Sequence, residues 1–148
     1  MNIIELHSVS DSQVSDLLVL MKELAPDLTV TAEMLQNTVK LPNAHLFAAI
    51  DDNERIVGCA TLCVFESPTG RKASVEDVVV LSSCRGRHLG KALMEHLIGY
   101  ACKEFKDIDL HLTSHPAREA ANKLYQSLGF ELRGTNLYRM KIREAHKI

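Results

Sequence analysis

Val75-Glu76-Asp77-Val78-Val79-Val80-Leu81-Ser82-Ser83-Cys84-Arg85-Gly86-Arg87-His88-Leu89-Gly90-Lys91-Ala92-Leu93 is the stretch on which the fold turns. Its apolar run stops at small polar residues, two glycines bracket a basic segment, and an amphipathic pattern follows. Val78-Val79-Val80 reads as a strand covered on both faces. From Leu89, the apolar residues Leu93, Leu97 and Tyr100/Ala101 recur every three or four positions, the period of a helix. A strand that hands over to a helix in this way leaves free backbone N–H groups at the helix start, where phosphate binds readily. Arg85, Arg87 and Lys91 place positive charge around that point.

The pattern extends in both directions. Ile3 to Val9 reads as a strand, and Ser10-Asp11-Ser12 as a helix N-cap ahead of Val14, Leu17, Leu18 and Met21. Pro26 ends that helix, and a second follows Thr31, with Met34, Leu35 and Val39 in period, and ends near Pro42. Ala44 to Ile50 and Arg55 to Phe65 are strands joined by the polar connection Asp51-Asp52-Asn53-Glu54. Pro68-Thr69-Gly70 turns the chain into a strand over Lys72 to Leu81. Ile108, Leu110 and Leu112 alternate with polar residues, which predicts a strand. A helix follows from Pro116 to Leu128, Gly129 stops it, and Phe130 to Arg133 with Leu137 to Ile142 read as a final hairpin. The order β-α-α-β-β-β-α-β-α-β-β predicts an α/β (α+β) fold, a mixed central sheet of six to seven strands flanked by about four helices.

Composition narrows the function. A chain of 148 residues suits a single domain spanning residues 1–148 with a real core. The net charge of −2 supplies no global basic field, so binding of a polyanion has to be local. With aromatic residues at 5% and no Trp, nucleic acid is a poor partner. No window approaches the ~20 apolar residues of a membrane helix, and Met1 to Gln13 lacks the pattern of a secretory leader; the expectation is a cytoplasmic protein without membrane attachment. Cys59, Cys63, Cys84 and Cys102 lack zinc-site spacing and read as reduced thiols, with no metal expected.

Four readings compete for the glycine segment. A P-loop requires four residues between its glycines and a Ser or Thr after the lysine; Gly86 and Gly90 are one residue too close, and Ala92 follows Lys91. A dinucleotide fingerprint requires G-x-G-x-x-G, and its first two glycines are missing. Solvated basic residues at an ordinary turn are the plain alternative. Arg85-Gly86-Arg87-His88-Leu89-Gly90, however, resembles the [QR]-x-x-G-x-[GA] pyrophosphate loop of the GNAT superfamily of acetyl-CoA-dependent N-acetyltransferases. His88 stands where the first glycine of that motif falls, and an ordinary helical backbone is expected of it. Further on, Arg118-Glu119-Ala120-Ala121-Asn122-Lys123-Leu124-Tyr125-Gln126-Ser127-Leu128-Gly129-Phe130 is similar to the family's A-x-x-x-[LF]-Y-x-x-x-G-F helix and turn. The resemblance covers roughly Arg55 to Ile142. Val75 to Val80 with Cys84-Arg85-Gly86 is also similar to the glucosamine-phosphate N-acetyltransferase branch.

The resemblance implies a GNAT fold and transfer of an acetyl group from acetyl-CoA directly to a primary amine in a ternary complex, without a covalent acyl-enzyme. It implies that the pyrophosphate of acetyl-CoA sits on Arg85, Gly86, Arg87, His88, Leu89, Gly90 and Lys91. The pantetheine arm would pair with a bulged strand at Val78, Val79 and Val80 that splays from the next strand, and a backbone N–H near Val79 would hold the oxyanion. Tyr125 is implied as general acid for the departing thiolate, with Asn122 on the pantetheine or phosphate. Arg118, Asn122 and Tyr125 share one helical face, while Ala121, Leu124 and Leu128 make the core stripe. Arg118 replaces an asparagine many members carry. Cys84 is weighed as a nucleophile, but it lies at the pyrophosphate end and reads as structural.

Glu76 and Asp77 are candidate bases, because carboxylates at the end of a buried strand can have raised pKa values; as neighbours they are expected to face opposite sides of the sheet. His111 and a water relay are alternatives. Arg139 is the first choice of cation should the acceptor be an aminosugar phosphate. The rival from another class is a catalytically silent acetyl-CoA-binding module. The expected partners are acetyl-CoA and a small-molecule or peptide amine, and the resemblance admits a homodimer.

Overall fold

The first helix, α1 (Asp11–Leu24), starts at a reciprocal cap: the Gln13 N–H donates to Ser10 Oγ at 3.2 Å and the Ser10 N–H donates to Gln13 Oε1 at 2.9 Å. Its inward stripe is Val14, Leu17, Leu20 and Met21, and it ends just before Pro26. Thr31 caps α2 (Ala32–Lys40), which buries Leu35 and Val39. The strand before them is β1 (Asn2–Leu6), and those after are β2 (Ala44–Ile50), β3 (Ile56–Ser67) and β4 (Gly70–Val80). A single 3₁₀ turn, Ser82–Cys84, leads to α3 (Leu89–Phe105), and β5 (Asp109–His111) and α4 (Glu119–Ser127) follow. This computed structural model describes residues 1–144; residues 145–148, included in the expected domain, lie outside the described residues.

The strands form one mixed sheet in the order β1-β2-β3-β4-β5, antiparallel except for the parallel pair β4/β5. Helices cover both faces. Cys59 packs in the cluster that holds the inward stripes of α1 and α2, whereas a Cβ on the adjacent Gly58 would meet Leu93 of α3 at 3.1 Å. Adjacent strand residues point to opposite faces, so α1 and α2 lie on one side of the sheet and α3 on the other. Asp16 ties α1 to the start of β3. Its carboxylate accepts from Arg55 Nε at 3.0 and 3.1 Å and from the Ile56 N–H at 3.0 Å, and the hydrogen bond from Arg55 holds its pKa below the usual carboxylate range.

Five strands, not six to seven, are present among the described residues. Residues 130–133 and 137–142, expected as a final hairpin, carry no strand assignment, and Leu132, Leu137, Tyr138, Met140 and Ile142 are exposed. A strand requires a neighbour for its N–H and C=O groups, and these segments have none among the described residues. By packing, the chain divides into two compact units, Met1–Thr113 and the part from Ser114 onward. The first holds the whole sheet with α1, α2 and α3, and the second holds α4.

Candidate active site

In the first unit, β4 changes character halfway along. Thr61 pairs with Glu76 and Cys59 with Val79, so Asp77 and Val78 together oppose Ala60. This is a β-bulge, and Asp77 occupies it with a left-handed backbone, φ 52°. On the other edge, β5 pairs only with Lys72, Ala73 and Ser74. From Val75 to Val80, β4 therefore has no strand beside it on that side among the described residues, and its outward N–H and C=O groups are free to pair with something extended. The bulge and splay expected around Val78, Val79 and Val80 are both present.

The bulge removes the ground for expecting Glu76 and Asp77 to face opposite sides. Regular alternation fails at a left-handed residue, and the two carboxylates act on common neighbours. Asp77 is exposed as a residue, yet partial desolvation of its carboxyl raises the pKa above its usual value, and the Glu76 charge raises it further. Burial also raises the Cys63 thiol, with Glu76 and Asp77 adding to the effect. Glu76 accepts the Ser74 hydroxyl at 2.6 Å. Cys59, pushed up to about 12 by burial, stays a neutral thiol. The third candidate base, His111, is exposed on β5 opposite Ser74.

The loop after β4 uses positive φ twice, at Gly86 (φ 80°) and His88 (φ 58°, ψ 23°). Gly86 adopts such a conformation freely. His88 was expected to be helical and is instead the left-handed N-cap of α3, with no side-chain capping bond; an N-cap lies outside the helix, and here it has to turn the incoming chain onto the axis. The first intrahelical bond runs from the Ala92 N–H to the His88 C=O at 3.0 Å. The N–H groups of Leu89, Gly90 and Lys91 precede it and point out of the helix start. Around them, Lys91 pairs with Glu95 at 3.8 Å and Arg85 with Glu23 at 3.9 Å, and Arg87 has no ion pair among the described residues.

Replacing His88 by glycine is expected to stabilise the protein by about 0.5–1 kcal/mol. Relief of left-handed strain, about 1–2 kcal/mol, exceeds the extra unfolded-state entropy of glycine. A thermal melt should show a rise of about 1–4 °C; a fall would mean that the imidazole makes contacts worth more than the strain.

The second unit carries the other signature. The Asn122 amide donates to the His115 C=O at 3.1 Å and the Pro116 C=O at 3.4 Å, closing the turn before α4, and its Oδ1 remains as an acceptor. Arg118 is the N-cap of α4, so the helix starts after the expected Pro116. Tyr125, rather than the stripe of Ala121, Leu124 and Leu128, is the buried side chain of α4. Its ring meets Phe130 edge-on at 6.2 Å, and the Phe130 N–H donates to the Tyr125 C=O at 3.1 Å. Tyr125 is 6% exposed, yet its hydroxyl has no hydrogen-bond partner among the described residues.

A family model described as "Acetyltransferase (GNAT) family" matches residues 11–130. The chain belongs to the GNAT acetyltransferase family. Its fold agrees: a Trypanosoma brucei acetyltransferase is 25% identical over 95% of this chain and 99% of its own, with a TM-score of 0.74. A ribosomal-protein-alanine N-acetyltransferase from Brucella melitensis biovar Abortus is 20% identical over 96% and 100%, with a TM-score of 0.74. Glucosamine-6-phosphate N-acetyltransferase from Arabidopsis thaliana is 19% identical over 94% and 97%, with a TM-score of 0.73. No curated protein matches the chain in sequence. Among the described residues, no helix of this acetyltransferase is long and apolar enough to cross a membrane. Sequence reasoning missed Glu23, which holds the loop entrance from α1; nothing near Glu23 in the chain signals that role.

Proposed function

We propose that this GNAT protein transfers the acetyl group of acetyl-CoA directly to a primary amine. The observation that carries the reading is the edge of β4. From Val75 to Val80 it is bulged and unpartnered on one side, and it runs toward a helix start with free N–H groups. An extended pantetheine arm with a diphosphate at one end matches both features. In this reading the Leu89 to Lys91 N–H groups hold the diphosphate, and the basic side chains Arg85, Arg87 and Lys91 add charge-assisted contacts. A backbone N–H near Val79 stabilises the thioester oxygen as the amine nitrogen bonds to its carbon. The carbon–sulfur bond then breaks, the thiolate takes a proton from Tyr125, and the ammonium proton passes to Asp77 or Glu76. The thiols of buried Cys59 and half-buried Cys63 have raised pKa values and are poor nucleophiles, which favours direct transfer.

Calorimetric titration with acetyl-CoA, followed by a screen of primary amines read by thiol release, tests the proposal. Binding with acceptor-dependent release is expected, and binding with no release across acceptors would leave only a silent binding module. Gly90→Leu, which fills the second position of α3, is expected to raise the acetyl-CoA dissociation constant at least about tenfold, about 1.4 kcal/mol. Unchanged affinity in a folded variant would remove the loop from the cofactor site.

A further inference from the structure

The 3₁₀ turn that opens the loop is held from α1. The Ser82 N–H donates to Glu23 Oε2 at 3.0 Å, and the Ser82 hydroxyl donates to Glu23 Oε1 at 3.1 Å. The same carboxylate lies 3.9 Å from an Arg85 guanidinium nitrogen. Ser82 begins the turn and Arg85 ends it, its N–H donating to the Ser82 C=O at 3.4 Å. One side chain from a distant part of the sequence therefore fixes both ends of the segment that delivers the chain to Gly86 and His88. The Ser82 N–H, at the start of the turn, has no partner within it, so Glu23 acts as its cap.

We infer that Glu23 is a positioning residue for the acetyl-CoA loop: it holds Ser82 and Arg85 so that the N–H groups at the start of α3 are aimed before the cofactor arrives. The inference rests on the acetyl-CoA reading above. Two effects of Glu23 oppose each other. Its negative charge beside Arg85 weakens the attraction of that cation for a diphosphate, while its hydrogen bonds keep the loop in one conformation. The Arg85 contact is long and the Arg85 side chain is 62% exposed, so solvent screens the charge effect. The two hydrogen bonds to Ser82 are direct and charge-assisted, at 3.0 and 3.1 Å, well inside the Arg85 contact at 3.9 Å, so the positioning effect is the larger.

The test is calorimetric titration of acetyl-CoA into wild type, Glu23→Gln, Glu23→Ala and Ser82→Ala. Glu23→Ala is expected to weaken binding about tenfold. Glu23→Gln keeps a carbonyl acceptor for Ser82 and should stay within about threefold of wild type. In turnover assays the Glu23→Ala loss should fall on KM for acetyl-CoA more than on kcat, a split that general destabilisation of α1 does not produce. Should Glu23→Ala fail to fold, Ser82→Ala still reads the contact through a loss of about threefold. Wild-type affinity in Glu23→Ala, or in Ser82→Ala where it is the only readout, overturns the inference. So does equal weakening in Glu23→Gln and Glu23→Ala. No binding by wild type defeats the acetyl-CoA reading itself.

Discussion

Tyr125→Phe is expected to keep acetyl-CoA affinity and to lower turnover by about 10²-fold, the usual scale for losing one proton-transfer group. The substitution removes a single oxygen. The ring still packs edge-on against Phe130, and the hydroxyl has no partner among the described residues to lose. Folding should therefore be unaffected, and equal melting temperatures would verify that. With no hydrogen-bond partner among the described residues, the hydroxyl is free to donate to a bound group. A phenol is also a weak acid that keeps its proton at neutral pH, as a donor to a departing thiolate must. The plain alternative is a tyrosine that only packs. Near-normal kcat for the variant, with saturating acetyl-CoA and a working acceptor, would establish that alternative and leave the thiolate to take its proton from water.

The parts of the fold that could be read from sequence are those fixed by local rules. Ser10 as a cap, Pro26 and Pro42 as helix stops, and the strand Ala44–Ile50 follow from side-chain chemistry within a few residues. The handover from β4 to α3 was equally plain, because Val78-Val79-Val80 and the Leu89, Leu93, Leu97 period leave few choices. What could not be read depends on partners distant in sequence. Alternation along Ile108 to Thr113 suggested a longer strand than Asp109–His111, since the sequence does not say where β4 stops pairing with it. The apolar positions of 130–142 looked like strands for the same reason. The backbone at Asp77 and His88 was illegible too, because left-handed conformations in residues other than glycine cost energy and no residue pattern announces them. All of the non-glycine strain near the candidate site falls on these two residues, one in the bulge and one at the start of α3. Strain of this kind persists only where the surroundings impose it, and both positions bear on the proposed acetyl-CoA contacts.

Asp77→Asn is expected to abolish the acidic limb of the pH–rate profile and to lower kcat/KM by about 10² or more, the scale of a lost general base. Partial desolvation and the Glu76 charge both raise the Asp77 pKa. A base works only when deprotonated, so the wild-type rate should fall off at a higher pH than an ordinary carboxylate would give. Glu76→Gln removes one of the two causes. The Asp77 pKa then drops, and the limb should move to lower pH while activity at neutral pH survives. Stability has the opposite sign. A raised folded-state pKa gives a contribution that is full below the unfolded pKa and is lost as pH rises through the folded one. At neutral pH the charged Asp77 is therefore a burden on the fold, and asparagine, which tolerates the left-handed backbone, removes it. Asp77→Asn should melt no lower than wild type, so lost activity cannot be assigned to unfolding. An acidic limb identical in wild type and both variants would rule out either carboxylate as the base and pass the role to His111 or to a water relay.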